Sequence, residues 1–185
     1  MCLLAVVAVI IVAYIMLGNN ASNENVPSSN KVLLTTSMGD ILIELRDDMP
    51  ITTGNFKNLV QQGVYDGTIF HRVIDGFMIQ GGDPATGTWS GGSIPSIKDE
   101  FTTNNKNERG TIAMANTGAP NSGSSQFFIN VVNNSNKDFD EDYPVFGRVI
   151  EGMDVVDAIV KVETDGEPYN RPLEEVTLIK AQLVD

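Results

Sequence analysis

The sequence predicts a mainly β domain, an antiparallel barrel or sandwich with two helices, behind an apolar N-terminal helix that lies outside it. Three observations carry this reading. Short β-prone runs recur between Gly-rich or Asn-rich turns along most of the chain. Helical spacing of apolar residues is confined to two stretches, 52–62 and 153–160. Residues 2–17 are apolar or Tyr without interruption.

Taken from the start, the apolar run approaches the roughly 17–25 residues that cross a bilayer and exceeds the roughly 7–15 of a signal-peptide core. It reads as a membrane anchor or an export signal. The stretch that follows is rich in Asn and Ser and contains Pro27, which suits a flexible polar linker. Residues 1–18 are assigned to the hydrophobic anchor or signal, 19–30 to the tether and 31–185 to the folded domain. That domain is expected outside the cytoplasm, membrane-anchored or secreted.

Within the domain, runs at 31–36 and 41–45 flank the turn-forming Ser37-Met38-Gly39-Asp40 and predict a β-hairpin. Ile41, Ile43 and Leu45 share one face of its second strand, Leu42 and Glu44 the other. After Pro50, the spacing of Phe56, Leu59 and Val60 predicts an amphipathic helix that stops at Gly63. Further β-prone runs fall at 68–73, 77–80, 111–114, 126–131, 145–149 and 176–184. Between the last two, Met153, Val156, Ile159 and Val160 predict the second helix.

Composition removes several function classes. With 24 acidic against 12 basic residues the formal charge is −12, which repels phosphate backbones and argues against a nucleic-acid partner. The only cysteine, Cys2, lies in the apolar run, so the folded part has no thiol chemistry. A single histidine, His71, cannot assemble a zinc or iron ligand set, and no metal or cofactor is expected. Between Phe70 and Arg72 it reads as a hydrogen-bonded structural residue. No heptad or broad exposed apolar stripe predicts an oligomer, so a monomer is expected.

Three segments carry more specific information: Phe70-His71-Arg72-Val73-Ile74-Asp75-Gly76-Phe77-Met78-Ile79-Gln80-Gly81-Gly82-Asp83, Ala113-Met114-Ala115-Asn116, and Ser124-Ser125-Gln126-Phe127-Phe128-Ile129. In this order and spacing they resemble the signature of the cyclophilin-type peptidyl-prolyl cis-trans isomerases, and the likeness extends over 31–185. The resemblance implies a closed eight-stranded antiparallel β-barrel capped by two α-helices, with the active groove on its outer surface. It also implies that Arg72, Gln80 and Asn116 are the catalytic residues. Phe77, Met78, Ala115, Thr117, Gln126, Phe128, Phe139 and Tyr143 would bind substrate, a Pro-containing segment of an unfolded or flexible protein.

The chemistry suits these residue types. An X-Pro amide rotates against a barrier of roughly 18–20 kcal/mol, and no covalent bond breaks. A catalyst therefore requires only an apolar socket for the pyrrolidine ring and a fixed donor for the twisting amide, for which a planar, always-charged guanidinium is better suited than Lys. The competing expectation is a non-catalytic module or chaperone that holds Pro-containing segments in the same groove. Many members of the family carry Trp-Leu where this chain has Asp138-Phe139, and a histidine where it has Tyr143. Trp89, in a Gly-rich stretch flanking the groove, reads as an exposed aromatic. Phe127 and Phe128 must face opposite sides of their strand, so an outward Phe128 is expected to lie open for a ligand to cover.

Overall fold

The computed structural model describes residues 29–185, so the predicted anchor and nearly all of the tether lie outside the described residues. Among the described residues no helix is long and apolar enough to cross a membrane.

The hairpin forms as expected. Strand β1 (Lys31–Thr36) pairs antiparallel with β2 (Gly39–Leu45), with Thr36 opposite Gly39. Thr36 Oγ1 closes the turn by accepting from Met38 N–H at 3.1 Å and donating to the Gly39 carbonyl at 2.7 Å. Alternation decides which side is buried: Val32, Leu34, Ile41 and Ile43 are fully enclosed, whereas Leu33, Leu42 and Glu44 are only half-buried. Helix α1 (Pro50–Gln61) starts on a proline, whose missing N–H costs nothing there. The Glu100 carboxylate accepts from its free Ile51 and Thr52 N–H groups at 3.2 and 2.9 Å.

The remaining strands are β3 (Thr68–Ile69), β4 (Arg72–Ile74), β5 (Met78–Gly81), β6 (Thr111–Met114), β7 (Phe127–Asn130), β8 (Val145–Glu151) and β9 (Thr177–Val184). All join one curled antiparallel sheet in the order β3-β9-β1-β2-β8-β6-β7-β5-β4. The sheet has nine strands rather than the expected eight because the run at 68–73 breaks at Phe70-His71. Its halves, β3 and β4, become the two ends of the strand order.

Among the described residues there are three α-helices, one more than the two expected in the domain. Helix α2 (Lys137–Asp142) lies ahead of α3 (Met153–Ile159), and a 3-10 turn covers Pro84–Thr86. A single short turn leaves no periodic signature, which is why α2 is invisible to spacing. Asn136 caps it, its side chain accepting from Phe139 N–H at 3.1 Å, and Asp138 and Asp140 complement the first-turn dipole. Helix α3 follows Gly152, which sits at φ +86; a Cβ there would lie 2.2 Å from the Asp40 carbonyl oxygen.

The core lies inside the curl. Phe56 of α1 packs edge-on against Phe127 and tilted against Tyr65 and Phe146, with ring centroids 5.7, 5.0 and 5.1 Å away. Tyr65 is fully buried, its hydroxyl donates to the Ser125 carbonyl at 3.0 Å, and burial pushes its pKa well up. That bond ties the core to the segment leading into β7. Trp89 is not the exposed aromatic expected: it is half-buried against the core, and its indole N–H donates to the Gly92 carbonyl at 2.8 Å.

Candidate active site

Strand register assembles the site. Arg72 of β4 lies opposite Gln80 of β5, Gln80 opposite Phe128 of β7, and Phe128 opposite Ala113 of β6. These residues form one row across the outer face, and Met78 joins that face two residues before Gln80. Their neighbours Val73, Ile79, Phe127 and Ile129 point into the main core.

The outer row gains its own cover. Met78, Ala113, Phe128 and Val145 form a second buried cluster, with Ile74, Phe77, Ala115, Phe139 and Tyr143 packed around it. Phe139 comes from α2 and Tyr143 from the residue after it; their rings lie 5.9 and 5.4 Å from Phe128, and Phe77 lies 5.7 Å from Phe139. Phe128 is therefore only 4% exposed, the floor of a cup rather than the open aromatic expected. The cup encloses a cavity of about 300 Å³ lined by Arg72, Phe77, Met78, Gln80, Ala115, Asn116, Phe128, Phe139 and Tyr143.

Two further predicted residues stand apart. Gln126 does not line the cavity but supports it: its Oε1 accepts from Gln80 Nε2 at 2.9 Å and its Nε2 donates to Asp83 Oδ2 at 3.2 Å. The close turn at Gly82 makes this possible, since a Cβ there would meet the Phe127 ring and the Ser125 carbonyl at 2.8 Å. Thr117 is exposed on the adjoining loop, its N–H donating to Ser122 Oγ at 3.0 Å, and is not brought to the cavity.

Polar groups on the rim divide into committed and uncommitted. The Asn116 side chain is committed, donating to the Asp142 carbonyl at 2.8 Å and accepting from Gly118 N–H at 2.9 Å, which fixes its main chain at the cavity edge. Among the described residues Arg46, Arg109, Arg148 and Arg171 are each ion-paired, and Arg72, half-buried in the cavity wall, is not. His71 departs from the expected satisfied residue, because its buried Nδ1 has no hydrogen-bond partner among the described residues.

A polar belt behind α2 went unread in the sequence. The Asp140 carboxylate, on a residue 6% exposed, accepts from Asn107 N–H at 2.8 Å, Ser135 Oγ at 2.7 Å and Lys106 Nζ at 3.0 Å. Burial acts to raise its pKa, but the donors from Asn107, Ser135 and Lys106 outweigh that and hold it below the usual carboxylate value. Asn105 donates to the Tyr143 carbonyl at 2.9 Å and accepts from Val145 N–H at 2.7 Å. Asn134 bridges Asn130 and the Phe77 carbonyl at 2.7 and 2.9 Å. The only sequence signal for these residues was Asn enrichment, which equally marks turns.

Comparison with known proteins agrees with this geometry. The family model described as "Cyclophilin type peptidyl-prolyl cis-trans isomerase/CLD" matches residues 31–183. The chain is 43% identical over 163 residues to peptidyl-prolyl cis-trans isomerase A of Dickeya dadantii, covering 85% of this chain and 86% of that one. It is 45% identical over 156 residues to peptidyl-prolyl cis-trans isomerase B of Escherichia coli, covering 80% and 95%. Among solved structures, a Cryptosporidium parvum cyclophilin type peptidyl-prolyl cis-trans isomerase superposes with a TM-score of 0.74 at 31% identity, covering 85% of this chain and 98% of that one. The same protein in the presence of the dipeptide ala-pro gives a TM-score of 0.73 at 31% identity, covering 84% and 99%.

Proposed function

Because this chain belongs to the cyclophilin-type peptidyl-prolyl cis-trans isomerase family and accelerates rotation about X-Pro peptide bonds, we propose that Arg72 is its catalytic donor above an apolar proline socket. The observation that carries the assignment is the guanidinium of Arg72, without an ion pair among the described residues, on the wall of a cup floored by Phe128. Half-buried and without a carboxylate partner among the described residues, that charge is available to substrate.

In this reading the pyrrolidine ring enters between Met78, Phe128, Phe139 and Tyr143. The main chain of Asn116 holds the residue before proline, and Gln80 keeps Arg72 level with the amide. As the X-Pro bond twists, conjugation is lost and charge returns to the carbonyl oxygen and the nitrogen lone pair. Arg72 donates to that changing amide, so its bonds strengthen in the transition state rather than in the bound substrate. A ten-thousandfold acceleration requires about 5–6 kcal/mol of such differential stabilisation. One charge-assisted bond contributes about 1.5–3 kcal/mol, leaving the rest to the dry socket and the clamped backbone.

The decisive experiment is isomerisation of a short X-Pro peptide by the parent, Arg72→Ala and Arg72→Lys, with folded content matched by circular dichroism. Both variants are expected to lose about ten- to hundredfold in kcat/KM. A parent that gives no acceleration while binding Pro-containing peptides would replace the enzyme reading with that of a holding module. The same reading treats the curled sheet as a closed barrel, with Phe70-His71 joining its two end strands, and the domain as a monomer that assists protein folding. It also makes residues 1–18 a membrane anchor or export signal with the domain outside the cytoplasm; fractionation of cells expressing the full chain tests this, and recovery only in the cytosol would refute it.

A further inference from the structure

Among the described residues two buried side-chain atoms lack a hydrogen-bond partner, Thr52 Oγ1 and His71 Nδ1, and only the second belongs to the chain segment that builds the groove. A buried polar atom that the fold leaves unsatisfied calls for a physical explanation. His71 occupies the two-residue break between β3 and β4, directly before Arg72. Its half-buried ring is approached by the Gln126 side chain and the Ile69 carbonyl, with the charges of Asp83 and Arg72 acting on it through space. It also borders a separate cavity of about 270 Å³, where the charged groups are Asp165, Arg171 and Glu175. Of these, Asp165 and Arg171 neutralise one another at 2.8 Å.

We propose that His71 is a positioning residue for prolyl isomerisation: its neutral ring backs the chain Gln80–Gln126–Asp83 that holds Gln80 level with Arg72, and protonating the ring releases that chain. This inference rests on the reading of the groove as the isomerase site.

Both ends of the Gln126 amide are committed, its oxygen to Gln80 and its nitrogen to Asp83. A neutral imidazole has one donor and one acceptor and can lie against this chain without taking an acceptor from it. An imidazolium is a cation with two donors, and the groups that favour it are Asp83 through its charge and Ile69 and Gln126 as acceptors. Two of those three are what hold Gln80. The added charge also faces Arg72, whose guanidinium has no ion pair among the described residues to neutralise it. Burial chiefly, and Arg72 in addition, push the His71 pKa below its ordinary value, against the opposing pull of Asp83, the Ile69 carbonyl and Gln126. The ring is thus neutral at pH 7 and charges only on acidification.

His71 is the single histidine of the chain, so its imidazole nitrogens give one unambiguous set of NMR signals. The test follows these signals and kcat/KM for a short X-Pro peptide in the full chain between about pH 5 and 8, where an unperturbed histidine is the side chain that titrates. Activity is read by NMR exchange, without a coupling protease. The parent is expected to lose about tenfold in kcat/KM per pH unit below the imidazole midpoint. His71→Gln, which restores an uncharged amide, is expected to keep neutral-pH activity within about threefold and to show a flat profile. A flat parent profile, a fall whose midpoint differs from that of the imidazole, or the same fall in His71→Gln would overturn the proposal. The imidazole comparison needs no variant, so a His71→Gln that fails to fold leaves the test intact. A parent inactive at every pH would instead defeat the isomerase reading itself.

Discussion

Replacing Asp140 with Asn asks whether the polar belt behind α2 keeps the proline socket in shape. Asp140 Oδ1 accepts both Asn107 donors, at 2.8 and 3.2 Å, and an asparagine oxygen can keep these. Oδ2 accepts Ser135 Oγ and Lys106 Nζ at 2.7 and 3.0 Å, and there the variant presents an NH2 group. The serine hydroxyl can turn and accept. The ammonium cannot, although Lys106, with a side chain 57% exposed, can swing into water. The loss is therefore the charge assistance on three bonds and one ion pair, less the relief of desolvating a carboxylate, or about 2–3 kcal/mol. For a domain of this size that lowers Tm by about 5–10 °C. The sign with pH follows from the depressed folded-state pKa of Asp140. Its contribution is complete above the unfolded value of about 3.9 and is lost as pH falls through the folded value. The stability gap between parent and Asp140→Asn should accordingly be widest near neutrality and close below about pH 4, at up to about 1.36 kcal/mol per pH unit. Asp48, Asp75 and Asp157 are also depressed by their cationic partners, and Asp165 by the Arg171 backbone N–H and then its guanidinium, but all four are common to both chains and cancel. Urea titrations of both chains across this range measure the gap. A neutral-pH difference under about 0.5 kcal/mol, within the range of ordinary surface substitutions, would refute the reasoning. So would a gap that does not narrow in acid.

Phe139→Leu keeps an apolar wall on α2 and should hold kcat/KM for an X-Pro peptide within about threefold, since volume-tolerant hydrophobic exchanges cost little; a larger loss would mean that the aromatic ring itself acts on substrate. Gly152→Ala sets a Cβ 2.2 Å from the Asp40 carbonyl oxygen at φ +86. Urea denaturation should show it destabilised by more than about 1–3 kcal/mol, the cost of the backbone conformation alone, and a neutral result would mean that the entry to α3 relaxes freely.

What the sequence revealed of the fold follows from where periodicity exists. The β1–β2 hairpin, the apolar stripe of α1 and the Val156–Ile159 face of α3 are each long enough to repeat, and each repeat matches the burial found. The break at Phe70-His71 was illegible because β-prone residues continue through it. Only the antiparallel pairing of β3 with β9, and of β4 with β5, reveals that the strand changes partner there.

The site shows the same limit from the other side. Alternation along β7 required Phe127 and Phe128 to face opposite sides, and they lie in separate clusters, but a period of two does not report whether the outer face is covered. The cover comes from α2, six residues with Asp on either side of Phe139, whose pattern looks polar in isolation. It is held by Asp140, Asn105 and Asn107, which lie about 35 residues apart in sequence and meet only in the fold. Arg72 gains its meaning the same way. As a residue type it is an ordinary surface cation, and what distinguishes it is that Gln80 lies opposite it and no carboxylate pairs with it among the described residues. For a reaction that breaks no covalent bond, an uncommitted donor on a dry, preshaped wall supplies stabilisation that a paired one would already have spent in the ground state.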